Sequence, residues 1–351
     1  MAGEAVAKAL TRAYDRAEER PMPAHEARII VFSDMHKGAR DGADDFQRCE
    51  PAYCAALAWY LAEGYSLYVL GDAEELWENS PGPVLARGRG YPEVLELEAR
   101  FLLAGRYERF YGNHDDLWSH ADAVKRWLRP LLPGVRVREA LRLRLTGSNG
   151  TAGVVVFLHG HQGTADSDRW GFLSRLFVRS IWRPIQRRSG YTGVTPALDH
   201  ALRSAHDREM AAWAGAHPDR PVLVAGHTHR PVFWDSTPAP APAPPPGADD
   251  AERAADREWA AAERRNPPTA LTLPAPCYFN SGCCCFGDGD VTGIEIAEGE
   301  FRLVRWPVAE GSPRRKILDH RSIDEVLDAV AGRPPAAVTG AEVAIVAPAP
   351  Q

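Results

Sequence analysis

Cysteine is scarce in this chain: six residues in 351, with no CxxC pair. That usage excludes a disulfide framework or a paired-cysteine zinc motif and suits a reducing compartment. No apolar run reaches the roughly 18 residues that a membrane-spanning helix needs. Residues 1–21 lack the apolar stretch of a secretory signal, so a cytoplasmic location is expected, at most peripheral to membrane. Positive charge is not in excess either. The formal net charge of −6 argues against a generic nucleic-acid coat, and no specific nucleic acid is expected as a partner. No internal repeat is visible. What is present is ordinary for a folded chain, 45% hydrophobic and 25% charged, enough to bury a core. The length fits one large domain or two.

Residues 4–20 read as a helix, with Val6, Leu10 and Tyr14 at four-residue spacing, stopped by Pro21 and Pro23. From Arg28 the pattern changes to short apolar runs closed by polar clusters: RIIVFSD (28–34), SLYVLGD (66–72), RFYGNHD (109–115), GVVVFLHG (153–160), PVLVAGHTH (221–229) and CYFNSG (277–282). Such runs read as buried strands. Helical stretches near 46–63, 92–105 and 119–129 lie between the early ones, which predicts an α/β layer with partly parallel sheet. The late runs 277–280, 291–297 and 300–306 predict an antiparallel portion, with a hairpin at Glu298-Gly299. The expected organisation is an N-terminal helix (1–27), a core domain (28–310), and a C-terminal helix with a loosely ordered tail (311–351). The core is interrupted by a helical insertion (166–216) and a Pro/Ala-rich insertion (236–268).

The strand ends carry the chemistry. Asp34 and His36 form a D-x-H, Asp72 follows a glycine, and Asn113, His114 and Asp115 form GNHD. His159 and His161 form HGH, and His227 and His229 form GHTH. Polar groups at the carboxyl ends of neighbouring strands converge on one crevice. Side chains two apart on extended backbone share a side, so each D-x-H or H-x-H acts as a pair. A carboxylate, imidazole and amide set of this size suits two borderline divalent cations such as Mn, Fe or Zn, and not calcium.

From Asp34 to about Asn280 the order D-x-H, GD, GNHD, HG, GH-x-H resembles that of the calcineurin-like metallophosphoesterases. The resemblance implies a four-layer αββα sandwich with a dinuclear site at one rim and a helical lid. It implies that Asp34, His36 and His229 hold one metal, that Asn113, His159 and His227 hold the other, and that Asp72 bridges them. It also implies a hydrolase that cleaves a phosphate ester by in-line attack of a metal-bridging hydroxide. His114 would then serve as general acid or charge stabiliser, oriented by Asp115. VLGDAEELWE and GHTHRP are similar to the branch containing UDP-2,3-diacylglucosamine pyrophosphatases, which opens a pyrophosphatase or phosphodiesterase reading. The chain departs from that branch in having His114 where an arginine is usual, in its N-terminal helix and in its 236–268 insertion. A non-catalytic scaffold would lack ligands, and none is missing.

Around these blocks the expectations are plainer. His161 faces substrate or supports the ligands. His25, His120, His217 and His320 are solvated, while His200 and His206 lie in the insertion and can face the site. Cys283, Cys284 and Cys285 read as small residues packing in a strand behind the site. Residues 169–188 hold six arginines and no acid. Arg175, Arg179 and Arg183 fall at helical spacing, forming either a lid surface for an anionic substrate, lipid or membrane, or a solvated helix face.

Overall fold

The computed structural model describes residues 2–41, 44–86, 90–163, 200–233, 277–287, 289–308 and 314–332. It is a mixed α/β structure built on two mixed sheets. The strands are β1 (Glu18–Pro23), β2 (Arg28–Phe32), β3 (Ser66–Leu70), β4 (Tyr107–Phe110), β5 (Val137–Arg138), β6 (Ala140–Thr146) and β7 (Ala152–Leu158). They continue with β8 (Val222–Ala225), β9 (Pro231–Val232), β10 (Tyr278–Ser281), β11 (Val291–Ala297), β12 (Glu300–Trp306) and β13 (Lys316–Ser322). The longer helices are α1 (Ala2–Arg16), α2 (Phe46–Ala62), α3 (Pro92–Leu103), α4 (His200–Ala216) and α5 (Ile323–Val330).

The seven-stranded sheet runs β13-β12-β11-β2-β3-β4-β5, parallel from β2 to β5 and antiparallel on the other side. The six-stranded sheet runs β1-β6-β7-β8-β10-β9, with β7, β8 and β10 parallel. Strand side chains alternate between faces, and β2 shows the consequence. Ile30 and Phe32 pack with Tyr53, Leu57 and Phe101 of α2 and α3. Ile29 and Val31 join a second core with Leu141, Val155 and Val224 of the other sheet. Two ring pairs mark the contact between the sheets: Tyr68 with Phe157 at 5.1 Å and Phe279 stacked on Phe301 at 5.0 Å. Helices α1, α4 and α5 add Leu10, Met210 and Leu327 to the same core.

The sequence expectations need three adjustments here. Helix α1 ends at Arg16, and Glu18–Pro23 pairs in parallel with β6 as an edge strand. Pro21 and Pro23 are tolerated because an edge strand has one side free of ladder bonds. Residues 18–23 are therefore a strand of the six-stranded sheet. The run at 277–280 joins that sheet beside β8, whereas β11 and β12 form the expected hairpin in the other. Glu298 and Gly299 both adopt positive φ, 55° and 77°, as a two-residue hairpin turn requires. The stretch 119–129 is a short helix followed by a single π-helical turn, Val124–Leu128. The C-terminal helix is present as α5, capped by Ser322, whose Oγ accepts from Glu325 N at 3.0 Å. Most of the 166–216 and 236–268 insertions, and the tail after 332, lie outside the described residues. Among the described residues no helix is long and apolar enough to cross a membrane.

A buried charge network fixes the loops that follow β2 and β3. Lys37, Glu74, Glu98 and Arg109 are all at most 2% exposed. Arg109 pairs with Glu74 and, at 3.2 Å, with Glu98; Lys37 lies 3.0 Å from Glu98 and 3.3 Å from Glu74. Trp118 and Tyr107 donate to the same carboxylates. Two cations balance two anions, so removing one leaves a buried charge unmatched. Arg109→Ala is expected to cost about 3–5 kcal/mol, read as a lowered urea midpoint at unchanged slope.

Candidate metal centre

Each polar block follows a strand directly, at the carboxyl ends of β2, β3, β4, β7 and β8. Beyond the strands the backbone continues to pair: Asp34 N donates to Gly71 O at 3.1 Å, His36 N to Asp72 O at 2.9 Å, and Lys37 N to Ala73 O at 3.0 Å. The first two loops are thus held side by side. Asp34, His36, Asp72, His227 and His229 all adopt positive φ, between 49° and 70°. Non-glycine residues carry such strain where the surroundings over-determine it, commonly at functional sites. Gly71 and Gly226 allow the approach: a Cβ at Gly71 would meet His159 Nδ1 at 2.6 Å, and one at Gly226 would meet Asp34 Oδ2 at 2.5 Å.

Asp72 stands at the centre. On one side His36 Nε2 lies 3.8 Å from Asp72 Oδ2 and 3.1 Å from His229 Nε2, and His229 Nε2 lies 3.3 Å from Asp34 Oδ1. On the other, His159 Nε2 lies 3.1 Å from Asp72 Oδ2 without the alignment of a hydrogen bond. Asp72, His159 and His227 offer donor atoms within 4.8 Å of one another. So do His36, Asp72 and His114, which brings His114 closer to ligand range than the sequence reading has it. Asp34 Oδ1, Asn113 Oδ1 and His159 Nε2 are buried with no hydrogen-bond partner among the described residues. Buried polar atoms left unpaired are costly. His159 Nε2 lies 3.1 Å from Asp72 Oδ2 and 3.9 Å from Asp34 Oδ1, an arrangement that fits the inner surface of a cation site. The residues present therefore suit divalent cations, with Asp72 shared between two positions.

Three imidazoles present Nε2 inward and anchor Nδ1 outward. His159 Nδ1 meets Leu70 O at 2.8 Å, His36 Nδ1 meets Glu75 Oε2 at 3.1 Å, and His229 Nδ1 meets Cys285 Sγ at 3.7 Å. Such outer partners set the tautomer and aim the ring of a ligating histidine. Burial would lower the basicity of His36 and His159, but the surrounding carboxylates outweigh it and push them up, to about 10 and about 9. That cradle draws positive charge. Burial and neighbouring imidazoles push His227 and His161 down, His161 to about 3, so both stay neutral.

His114 is held on two sides. Its Nδ1 lies 2.7 Å from Glu75 Oε2, and its ring stacks on Trp77 at 4.0 Å. Trp77 is in turn fixed by donating Nε1–H to Asn113 O at 2.6 Å. Glu75 Oε1 accepts from the backbone of Trp77 at 3.0 Å. Asp115 does not orient His114. Its carboxylate accepts from Gly112 N at 2.7 Å and Ala73 N at 2.9 Å, and so ties the GNHD turn to the loop after β3. Adjacency in sequence suggested the pairing, but the turn sends Asp115 inward to unpaired backbone donors. Glu75 takes that orienting place, although it stands outside the candidate residues that the sequence marks. Its spacing, three residues past Asp72 in the same loop, is the signal.

His161 is buried beside His159, ring centres 5.4 Å apart. His206 faces the site as one alternative held: Nε2 lies 2.6 Å from Gly160 O and the ring is 5.2 Å from His227. His25, His120 and His320 are exposed, whereas His217 is half-buried against Tyr14 and Trp213. Cys283–Cys285 form a loop after β10, not a strand, and Cys285 reaches His229. Arg175, Arg179 and Arg183 lie outside the described residues.

The end of the insertion that is described, α4, grips the GHTH turn. Asp207 Oδ1 accepts from Thr228 at 2.9 Å and from Tyr278 at 2.7 Å, and Asn280 Nδ2 donates to Gly226 O at 2.6 Å and Thr228 Oγ1 at 3.1 Å. Asp207→Ala would strand both hydroxyls in the interior, at about 1–3 kcal/mol per unpaired group. Denaturant unfolding should show that loss, and Asp207→Asn, which keeps an acceptor, should show much less.

No protein-family model matches this chain, and no curated protein matches it.

Proposed function

We propose that this protein is a metal-dependent phosphoric ester hydrolase of the calcineurin-like kind. In this reading α2 and α3 cover the seven-stranded sheet, α1 and α4 cover the six-stranded one, and the four layers make an αββα sandwich. The observation that carries the reading is that donor groups drawn from all five motif blocks share Asp72, with His36 and His114 on one side and His159 and His227 on the other. Asp34, His36, Asp72 and His229 would hold one divalent cation, and Asp72, Asn113, His159 and His227 the other. Two such ions supply Lewis acidity and a nucleophile at neutral pH.

The chain's own side chains do the rest. His114 carries a proton on Nε2 for the leaving alkoxide, while Glu75 holds Nδ1–H and stabilises the charged ring. Trp77 fixes the ring plane, so the proton is delivered in one direction. The surroundings that hold Asp34, His36, Asp72, His227 and His229 at positive φ preset the backbone from which these donors project.

The test is a hydrolysis panel with purified protein and Mn²⁺: p-nitrophenyl phosphate, its bis-ester, a nucleotide diphosphate sugar and a phosphopeptide. Hydrolysis of at least one, abolished by EDTA and restored by Mn²⁺, is the expected result. No turnover of any of them by Mn²⁺-loaded protein would reject the reading. The pattern across the panel separates a monoesterase from the pyrophosphatase or phosphodiesterase alternative.

A further inference from the structure

Two serines outside the chemistry above meet beside Asp34. Ser33 follows β2 of the seven-stranded sheet, and Ser281 ends β10 of the six-stranded one. Both are fully buried, as is Asp34. Their hydroxyl oxygens lie 2.7 Å apart. Ser33 Oγ also hydrogen-bonds Asp34 Oδ2. A carboxylate only accepts, and a hydroxyl has one proton to give. Ser33 therefore donates to Asp34, and Ser281 donates to Ser33. A second donor, the backbone N–H of His227, reaches the same Asp34 Oδ2 at 2.9 Å. The other oxygen has different surroundings. Asp34 Oδ1 has no hydrogen-bond partner among the described residues, and three imidazoles face it: His229 Nε2 at 3.3 Å, and His36 Nε2 and His159 Nε2 each at 3.9 Å.

We propose that Ser33, aligned by Ser281, is a positioning residue that keeps Asp34 Oδ2 turned to the protein and leaves Oδ1 as the one oxygen offered to a metal. Hydrogen bonds to a carboxylate are charge-assisted and strong, and such outer partners orient a ligand and tune the metal it holds. Two donors on Oδ2 compete with a cation for that oxygen. Without Ser33 only His227 N is left there, and Asp34 is free to chelate through both oxygens. The hydroxyl pair also joins the ends of β2 and β10, so it ties the D-x-H block to the sheet whose strands β7 and β8 lead to His159 and His227. This role rests on the proposed metal centre.

The experiment titrates the full chain, metal-free, with Mn²⁺ by calorimetry and records the carboxylate infrared bands that change on binding. The gap between antisymmetric and symmetric stretches is wide for a carboxylate bound through one oxygen and narrow for one bound through both. Ser33→Ala should weaken one of the two Mn²⁺ sites about 10–100-fold and narrow that gap. Ser281→Ala should move both readouts the same way by less. Added to Ser33→Ala it should change neither further, because Ser281 acts through Ser33. If Ser33→Ala does not fold, Ser281→Ala, one step further from the carboxylate, carries the same two readouts. Wild-type affinity in both variants overturns the proposal. So does weaker binding with an unchanged gap, the result that a general loosening of the loop would give. A wild-type chain that binds no Mn²⁺ rejects the metal centre, and this role falls with it; a wild-type chain that binds Mn²⁺ no better than Ser33→Ala overturns the role alone.

Discussion

Asp72→Ala is expected to empty both proposed metal positions at once. Asp72 Oδ2 lies 3.8 Å from His36 Nε2 and 3.1 Å from His159 Nε2, and Asp72 belongs to donor groups on both sides. Its other oxygen accepts from His114 N at 2.8 Å, so the substitution also frees the turn that carries Asn113 and His114. Metal content after Mn²⁺ reconstitution should fall toward zero, together with hydrolysis of every substrate. His227→Ala, by contrast, touches one position only and should leave about one ion per chain. Equal loss in both variants would be consistent with a single site. A chain with Asp72→Ala that keeps its metals would remove Asp72 from the bridging place.

His114→Ala separates chemistry from binding. If His114 protonates the leaving group, kcat should fall by about 10²–10⁴ for an alkyl ester, with metal content nearly intact. The loss should shrink for p-nitrophenyl phosphate, whose leaving group needs no proton. Glu75→Gln should give a smaller fall of the same character, because the amide holds the ring but cannot match its charge. Loss of metal in His114→Ala would instead make His114 a ligand, a role its proximity to His36 and Asp72 allows.

Sequence alone makes much of this legible, and for a physical reason. The strands that matter are short, apolar and buried on both faces, and each stops at a polar residue that has a reason to be buried. Ile29 to Phe32, ending at Asp34 and His36, is readable in those terms. Strand β13 is not. Its KILDHRS alternates charge and apolar residues at a half-exposed edge, so no continuous run marks it. Nor is β1, whose two prolines argue for a helix stop and are accommodated only because the strand lies at an edge. In the site, residues of the inner set announce themselves by spacing. Their supports do not. Glu75, Cys285 and Asp207 act through contacts that depend on how loops distant in sequence meet, 39 residues apart for Glu75 and His114 and 56 for Cys285 and His229. Asp115 shows the converse, since its place beside His114 in sequence implies a partnership that the turn redirects to backbone amides.

The most direct test of the whole reading is the metal itself. The purified chain, stripped with chelator, reconstituted with Mn²⁺ and freed of excess, should carry close to two ions by elemental analysis. It should also unfold at a higher temperature than the stripped form, because a ligand that binds only the folded state stabilises it. A content near zero, with no stabilisation by Mn²⁺, Zn²⁺ or Fe²⁺, would contradict the account.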